Sequence, residues 1–415
     1  MRDIELYQTL LGLTAPWEVT TVTVTKVSAE RPLGEIAVAV RWQPGAPLRC
    51  PSCGQEGRGY DGRSRRWRHL NTMQWKTFIT AEVPRVNCPK CGVKQVAVSW
   101  AEDASRFTEL FEAFTIQVLK AVRSKVQAQC LTELSWDQVD RVMERAVARG
   151  LERRSLQELT YCGLDEKSFG KGHDYVSVLH DVAGRRVLEV VPERTRKAAD
   201  TLWAAIPVAQ RQGLAAVAVD MWEPYLEAAR AAAPQAAIVH DKFHCAKELN
   251  KAVDLVRRRE HRELTREGDD TLLKTKYLWL KNPHNWTVHQ RKHFRELKTD
   301  TLKVGRAWAI KESFAGFWNY HHPTWAKKFF ERWYFWATHS RLKPIIDAAK
   351  TLKRHLPGLL AYTKHRITNA VAEATNATIQ LTKANARGYR NFAHYRIAIL
   401  FHCGKLDLYP MGCAP

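Results

Sequence analysis

The stretch Gly213-Leu-Ala-Ala-Val-Ala-Val-Asp220-Met-Trp-Glu-Pro224 is an apolar run that ends on a carboxylate. Short apolar runs of this kind predict a strand that is buried on both faces, as in a parallel sheet. An unpaired buried carboxylate is costly, so we expect Asp220 at the end of the strand or beside a partner. Because ligands bind at strand ends in open α/β sheets, Asp220 is a candidate site residue. The alternative is that Asp220 caps the next turn, since Asp is common there and Pro224 soon follows.

The segments around this strand predict a mixed sheet of defined order. Asp165 opens the first strand of a three-strand meander, and a helix, the quoted strand, a short helix and a last strand follow it. The order β-β-β-α-β-α-β is that of an RNase H-like fold, in which the first and fourth strands are neighbours. We therefore expect Asp165 and Asp220 to lie side by side, with a metal such as Mg²⁺ to offset their repulsion. The other expected strands and the longer helix are, in chain order, 175–180, 186–191, 197–206 and 236–240.

Two short cysteine motifs predict a metal site in the N-terminal region. Each is a CxxC turn that contains proline and is followed by glycine: Cys50-Pro-Ser-Cys53 and Cys88-Pro-Lys-Cys91. Four thiolates around one Zn²⁺ leave no open position, so we expect a structural zinc in a ribbon. Unrelated surface cysteines or a redox pair are the alternatives. Between the turns, Arg63-Ser-Arg-Arg-Trp-Arg-His69 predicts a basic loop suited to phosphates.

The composition predicts a folded protein with a polyanionic partner. Lysine and arginine number 65 against 43 acidic residues, a net charge of +22, and nucleic acid is the default partner for such an excess. Hydrophobic residues make up 45% of the chain, which excludes wholesale disorder. The first residues do not resemble a signal peptide, and no apolar run approaches the length of a membrane span. Four of the nine cysteines form CxxC pairs, so we expect a reducing, cytosolic compartment.

Helical periodicity begins at Phe107 and leads into a candidate DNA-binding element. The segment 130–147 resembles the turn and second helix of a helix-turn-helix, with Ser135 as the N-cap. We expect this helix to end at Arg149-Gly150. A plain helical linker is the alternative. The side chains expected to face inward are Val139, Val142 and Met143.

The C-terminal half is expected to be mostly helical. Residues 251–355 are basic and hold seven of the 15 tryptophans, for which core packing is the favoured explanation and stacking on bases the alternative. A final helix at about 366–384 carries Glu373, Asn376 and Gln380 at intervals that align one polar face. An isolated Glu on such a helix is ordinarily a solvated residue.

Taken together, these motifs give the chain a resemblance to the DDE transposases of bacterial insertion sequences, specifically the ISL3 family, over nearly its whole length. The chain departs from the family pattern at Trp222 and Glu223, where smaller polar residues are usual. The motifs that carry the resemblance are the two CxxC turns, Gly163-Leu-Asp165-Glu, Val219-Asp220-Met, Asp241-Lys-Phe-His244, Asn369-Ala-Val-Ala-Glu373-Ala-Thr-Asn376 and Ala386-Arg-Gly-Tyr-Arg-Asn-Phe-Ala-His-Tyr-Arg396.

The resemblance implies a catalytic triad of Asp165, Asp220 and Glu373, which would hold two Mg²⁺ or Mn²⁺ ions for DNA hydrolysis and strand transfer. The implied partners are double-stranded DNA, at the element's terminal inverted repeats and at the target, and further copies of the chain in a homodimer or larger assembly. A cytoplasmic, nucleoid-associated protein without membrane contact is expected. The implied supporting residues are Asp241, His244 and Asn376, and the candidate DNA contacts are Arg63, Arg65, Arg66, Arg68, Lys167, Lys171, Arg387 and Arg390.

The expected fold class is multidomain, combining α+β and α/β architecture. Two other functions remain open: a catalytically inactive zinc-ribbon DNA-binding regulator, and a structure-specific nuclease on the same fold. The expected domains are a β-rich zinc ribbon (1–104), a helix-turn-helix (105–155), the first part of an RNase H-like catalytic domain with a mixed sheet (156–250), an α-helical insertion (251–355), the final helices of the catalytic domain (356–402) and a tail (403–415).

Overall fold

A computed structural model describes residues 3–25, 34–156, 159–170, 174–297, 299, 301–367 and 370–413, with only the backbone of 370–373. The chain divides into two compact units. The first comprises Met1–Arg154 together with Leu406–Pro415, and the second comprises Ser155–Lys405.

The first unit is built on a six-stranded sheet. Its strands follow the order β1-β2-β5-β4-β3, with β6 paired to β5, and every pair is antiparallel except β2 with β5. Buried and less buried side chains alternate along most of β5, as expected for a strand with one face on a core. The elements are α1 (Asp3–Leu10), β1 (Trp17–Thr25), β2 (Glu35–Trp42), β3 (Leu48–Arg49), β4 (Glu56–Arg68), β5 (Lys76–Cys88) and β6 (Gly92–Gln95).

The basic stretch 63–69 is mostly strand, and the expectation of a loop there was wrong. Residues 63–68 form the end of β4, which pairs with β5 along nearly its whole length. The sheet provides the reason, because Trp67 points into the core and contacts Trp100 edge-to-face at 5.3 Å between ring centroids. Arginine-rich composition alone therefore did not indicate the local structure.

Three helices complete the first unit: α2 (Glu109–Val122), α3 (Lys125–Thr132) and α4 (Trp136–Glu152). Three residues join α3 to α4, as a helix-turn-helix requires. Ser135 is the N-cap of α4, as predicted, and it also forms a capping box with Gln138. The expected inward-facing residues of α4 are buried.

The expected end of α4 at Arg149-Gly150 was wrong, because the helix continues to Glu152. Gly150 instead permits a close approach of the chain's C-terminal segment. A Cβ at this position would lie 2.5 Å from the Cβ of Leu406. The neighbouring Arg149 is buried and donates to Glu102, Glu112 and the carbonyl of Leu408.

The second unit contains the predicted mixed sheet. Its five strands follow the order β11-β10-β7-β8-β9; the meander β7-β8-β9 is antiparallel, and β10 is parallel to both β7 and β11. All four residues of β10 are buried, which confirms that the apolar run is an internal strand. The elements are β7 (Tyr161–Ser168), β8 (Tyr175–Asp181), β9 (Arg186–Pro192), α5 (Arg196–Ala204), α6 (Val208–Gln212), β10 (Ala216–Val219), α7 (Glu223–Ala232) and β11 (Ala237–Val239).

A helical region follows the sheet, and most of its tryptophans are packed inside it. Trp279, Trp318 and Trp333 are buried in one core with other aromatic side chains, whereas Trp325 and Trp336 are exposed. The helices of this region are α8 (Lys242–Arg266), α9 (Lys276–Leu280), α10 (Val288–Glu296), α11 (Lys303–Phe314), α12 (Pro323–Thr338) and α13 (Lys343–Arg354), with short 3-10 helices at Pro283–Asn285 and Ala315–Asn319.

The last three helices return to the sheet: α14 (Leu356–His365) packs on β11, α15 (Ala370–Asn385) on β7 and α16 (Phe392–Cys403) on β9. Arg396 of α16 makes a two-point ion pair with Glu189 of β9, with both N···O distances 2.6 Å. The expected fold class, with a β-rich N-terminal region and a mixed sheet surrounded by helices, is confirmed. Across the described residues, every helix is too short or too polar to cross a bilayer.

Candidate active site and metal centre

Asp165 and Asp220 are brought together by the pairing of β7 with β10. Leu164 is paired with Val219 in this parallel ladder, so the next residues are Asp165, still within β7, and Asp220, directly after the end of β10. Partners in register on parallel strands point to the same face of the sheet. The strand order therefore gives Asp220 the carboxylate neighbour that the sequence predicts.

Asp165 lies within β7 and is held by three donors. The amide Nδ2 of Asn376 donates to its Oδ2 at 2.7 Å, and the Nζ of Lys167 lies 3.4 Å from the same oxygen. The backbone N–H of Glu166 donates to Oδ1 at 2.8 Å. Burial opposes the charged form, but Lys167, Asn376 and this N–H outweigh it and lower the pKa of Asp165. Asp165 is thus ionised at neutral pH before any metal binds.

Asp220 lies at the start of the loop that follows β10. Its Oδ1 accepts a hydrogen bond from the N–H of Met221 at 2.6 Å, and His244 Nε2 lies 3.6 Å from its Oδ2. His244 belongs to the first turn of α8, whose N-cap is the buried Asp241. The motif Asp241-Lys-Phe-His244 therefore places an imidazole beside the second aspartate.

The helix α15 contacts the same site through Asn376. The Asn376 side chain is buried, and its Oδ1 has no hydrogen-bond partner in the described part of the chain. Glu373 lies one helical turn earlier on α15, but its side chain is outside the described residues, as is all of Lys171. Gln380, expected on the same face, is exposed.

Two further residues at this site were not singled out from the sequence. Glu166 follows Asp165 directly, and its Oε2 lies 2.6 Å from Nε of Arg194. Burial raises the pKa of Glu166, Arg194 lowers it, and the charges of Asp220 and Asp165 raise it again. The site thus holds a third carboxylate near the aspartate pair. The adjacency of two acidic residues, Asp165 and Glu166, was the available signal.

Trp222, the departure from the family pattern, supports this ion pair. The guanidinium carbon of Arg194 lies 4.4 Å from the Trp222 ring centroid, within range of a cation–π contact. Trp222 also meets Tyr225 edge-to-face at 4.6 Å, and Tyr225 is hydrogen-bonded to Ser177 of β8. The loop after Asp220 is therefore fixed to the sheet by packing.

The four cysteines of the CxxC turns converge in the first unit. Their Sγ atoms all lie within 4.8 Å of one another, and Cys53 and Cys88 are 3.5 Å apart. Gly54 and Gly92 follow the two turns with φ of 74° and 73°, a left-handed conformation that favours glycine. The sheet thus brings both turns to one point.

The thiols of this cluster differ in acidity. Burial opposes the Cys50 thiolate, but the N–H groups of Ser52 and Cys53 and the neighbouring thiols lower the pKa of Cys50 to about 6. Hydrogen bonding with Cys53, followed by burial, raises the pKa of Cys91 to about 12. Four adjacent thiolates require a cation, so this donor set fits a tetrahedral Zn²⁺.

The arginines of β4 do not form one uniform surface. Arg63 and Arg66 are exposed, and Arg66 is paired with Glu35 at 2.8 Å. Arg65 is half-buried and donates to the carbonyl of Ser105. Arg68 is buried and donates to backbone carbonyls and an Asn side chain, so it stabilises the core rather than offering a free phosphate contact. This corrects the expected role of Arg68.

The other candidate DNA contacts lie in the second unit. Arg387 and Arg390 are exposed in the turn between α15 and α16. Lys167 is mostly enclosed and faces Asp165, as described above. The nearby Lys383 of α15 donates to the carbonyl of Ser168 at 3.1 Å, and so fixes α15 to the end of β7.

Comparison with known proteins agrees with this arrangement. Residues 162–399 match the family model of ISL3 transposases, and residues 46–91 match the zinc finger of the transposases of IS204, IS1001, IS1096 and IS1165. The zinc-finger match includes all four clustered cysteines, which identifies their site as a zinc ribbon with a structural metal centre.

Two named relatives match most of the chain. The transposase for insertion sequence element IS1001 of Bordetella parapertussis is 28% identical over 356 residues, covering 84% of this chain and 87% of the relative. The transposase for insertion sequence element IS1557 of Mycobacterium tuberculosis is 25% identical over 417 residues, covering 94% and 93%. Since the first family match also spans more than half of the residues, the chain belongs to the ISL3 family of transposases, which are nucleic-acid-processing enzymes.

Proposed function

We propose that this protein binds the terminal inverted repeats of an insertion sequence and catalyses Mg²⁺-dependent DNA cleavage and strand transfer. The observation that carries the proposal is the adjacent pair Asp165 and Asp220, with α15 joined to Asp165 through Asn376. The named relatives are transposases of insertion sequences, which supports the same substrate.

The donor set of this site fits a hard divalent cation. Asp165 is ionised and offers carboxylate oxygens, and the buried Oδ1 of Asn376 has no described partner. We propose that Asp165, Asp220 and Glu373 hold two Mg²⁺ or Mn²⁺ ions. When bound, such ions activate the attacking oxygen and stabilise the leaving oxygen.

The proposed reaction has two steps of phosphoryl transfer. In the first, water attacks a phosphodiester at the element's end, a new P–O bond forms, and the bond to the 3′ oxygen breaks to release a 3′-hydroxyl. In the second, this hydroxyl attacks a target phosphodiester and displaces its 3′ oxygen. Lys167, 3.4 Å from Asp165, would offset the negative charge of the phosphate at this position.

The remaining parts of the chain are proposed to hold DNA. Exposed Arg63 and Arg66 on β4, and Arg387 and Arg390 after α15, are suited to backbone phosphates, and the net charge of +22 favours the same partner. We also propose a homodimer or larger assembly on DNA, and a cytoplasmic location at the nucleoid, where the substrate lies.

Substitution of the aspartates tests this proposal. We expect Asp165→Asn and Asp220→Asn to abolish cleavage of labelled end DNA in Mg²⁺ while a gel shift shows binding close to wild type, because carboxylates hold metal whereas basic residues hold phosphate. Asp347→Asn, at an exposed carboxylate of α13, is the matched control and should cleave normally.

The same assay separates the competing functions. Cleavage by either aspartate variant at the wild-type rate would remove that residue from the site. Wild-type protein that binds end DNA but never cuts it in Mg²⁺ or Mn²⁺ would indicate a regulator. Protein that cuts but joins no 3′-hydroxyl to target DNA would indicate a nuclease.

A further inference from the structure

A shallow groove runs along the exposed face of α12, opposite the face that this helix packs into the core of the helical region. Its volume is about 650 Å³. Four of its side chains follow one another at intervals of three, four and three residues, so they form one stripe on the helix. This aromatic–basic stripe consists of Trp325, Lys328, Arg332 and Phe335, and Glu331 also lines the groove.

Two aromatic rings mark the ends of the stripe. Trp325 is 59% exposed and Phe335 is 63% exposed, although large aromatic side chains contribute most to stability when they are buried. The Nζ of Lys328 lies 4.9 Å from the centroid of the Trp325 ring. The ring of His339 stacks on Phe335 at 4.0 Å between centroids. These contacts orient the two rings, and the exposed part of each ring is accessible to another flat group.

Two cations lie between the rings. Lys328 and Arg332 are exposed, and neither forms an ion pair with another residue of the described chain. Glu331 is the one carboxylate among the described lining residues, so positive charge exceeds negative charge in the groove. Aromatic rings combined with unpaired cations suit a ligand that carries both flat bases and negative phosphates, as single-stranded nucleic acid does.

Other occupants fit the stripe less well. Intact duplex DNA would use only the cations, because its bases are already stacked on one another. A second copy of the chain, which has the same net charge of +22, would bring further positive charge against a positive surface. The rings are ten residues apart, which is about 15 Å along the helix axis and the length of about four stacked nucleotides. A short single strand therefore matches the stripe in both chemistry and length.

We propose that Trp325 and Phe335 stack on unpaired bases of single-stranded DNA, while Lys328 and Arg332 contact the phosphates between them. The inference rests on the proposed function for its substrate, because cutting and joining DNA produces ends whose bases can unpair. Binding to a single strand is measured without cleavage, so the failure of one proposal is distinguishable from the failure of the other.

A short labelled oligothymidine, titrated with the full chain, is the first probe. We expect Trp325→Ala and Phe335→Ala each to weaken its binding about tenfold, as the loss of one base–aromatic stack does. Binding of blunt duplex DNA should not change in either variant. Trp336→Ala is the matched control, since Trp336 is an exposed tryptophan of the same helix that does not line the groove, and it should bind as wild type does. Lys328→Gln should make binding less dependent on salt.

An abasic oligonucleotide of the same length is the second probe, because it keeps the phosphates and lacks the bases. Wild type should bind it more weakly than oligothymidine, and Trp325→Ala should cause no further loss. Equal binding of oligothymidine by wild type and both aromatic variants would overturn the proposal, and so would equal losses on the two oligonucleotides. Circular dichroism checks that the variants, in which only exposed side chains are replaced, remain folded.

Two further results separate this proposal from its alternatives. A change of oligomeric state in Trp325→Ala, with unchanged binding of oligothymidine, would make the stripe an interface between copies of the chain and overturn the proposal. Stacking-dependent binding by a wild-type protein that never cleaves end DNA would support the single-strand site while refuting the proposed catalytic function.

Discussion

At the scale of single residues, Asp165 is contacted from its own strand and from α15. Lys167 comes from its own strand and Asn376 from α15, and Asp220 directly follows Val219, which pairs with Leu164 beside Asp165. Each contact changes a measurable property of the aspartate, so the site can be tested one side chain at a time.

Asn376 stabilises the charged form of Asp165 by donating a hydrogen bond at 2.7 Å. In Asn376→Ala we expect the pKa of Asp165 to rise, so that the acidic limb of the cleavage profile moves to higher pH. The rate at neutral pH should fall about 10–100-fold, as for other groups that orient a metal ligand. Gln380→Ala, on the exposed face of the same helix, should change neither property. A slower variant with an unmoved pH profile would mean that Asn376 acts only through packing.

His244 lies 3.6 Å from Asp220 but is proposed to position it rather than to hold metal. We therefore expect His244→Ala to slow single-turnover cleavage by about 10–100-fold without abolishing it. Zinc content, measured in the same preparation, should stay unchanged. His261→Ala on α8 serves as the control. Complete loss of cleavage by a folded His244→Ala protein would make His244 a direct participant, and full activity would leave it a packing residue.

The raised pKa of Glu166 predicts how the stability of the folded protein depends on pH. Its pKa is raised in the folded protein, mainly by burial. The folded state therefore holds this proton more tightly than the unfolded chain, and the associated stability is lost as pH rises through the folded pKa. In metal-free protein, Glu166→Gln should consequently raise Tm more, or lower it less, at pH 8 than at pH 5. The opposite pH trend would show that the pair with Arg194 dominates.

At the scale of elements, the predictions succeeded where a pattern was local and failed where a distant segment decided the structure. The apolar run of β10 and the N-cap Ser135 could be predicted directly from neighbouring residues. The strand β4 could not, because its arginines are held in place by pairing with β5. Similarly, Gly150 lies within α4, where it accommodates the close approach of Leu406, a residue more than 250 positions away.

The same division applies to the candidate site. The neighbouring aspartates followed from the strand order, whereas the role expected for Asn376 came only from the resemblance, since no periodicity joins α15 to β7. The pairing of Glu166 with Arg194 also depends on how β9 and the following turn pack, and was not predicted. The expectation for Arg68 failed because a basic residue in a strand can point inward when carbonyls surround it.

The zinc ribbon leads to a prediction about the stability that its bound metal supplies. The metal is expected to supply much of the stability of the region around the two CxxC turns, because four thiols alone have little to hold them together. Cys53→Ser should lose zinc by elemental analysis and lose hydrogen-exchange protection in β3 and the adjoining end of β5. Cys130→Ser, at an exposed cysteine of α3, is the control and should keep one zinc per chain. Freshly purified wild-type protein without zinc would contradict the prediction.

At the scale of the whole molecule, two kinds of metal chemistry are kept in separate units. The thiol cluster lies in the first unit, where soft ligands fill every position of a zinc ion, and the carboxylates lie in the second, where hard ligands suit Mg²⁺. Removal of zinc by a chelator should therefore disturb the ribbon but leave the aspartate pair in place, because the pair belongs to a different sheet.

The return of residues 406–413 to the first unit bears on how the protein is synthesised. The ribosome makes residues 155–405 before it makes the segment that covers Gly150 and accepts the hydrogen bond of Arg149. The first unit therefore cannot complete this part of its core until the whole of the second unit has been made.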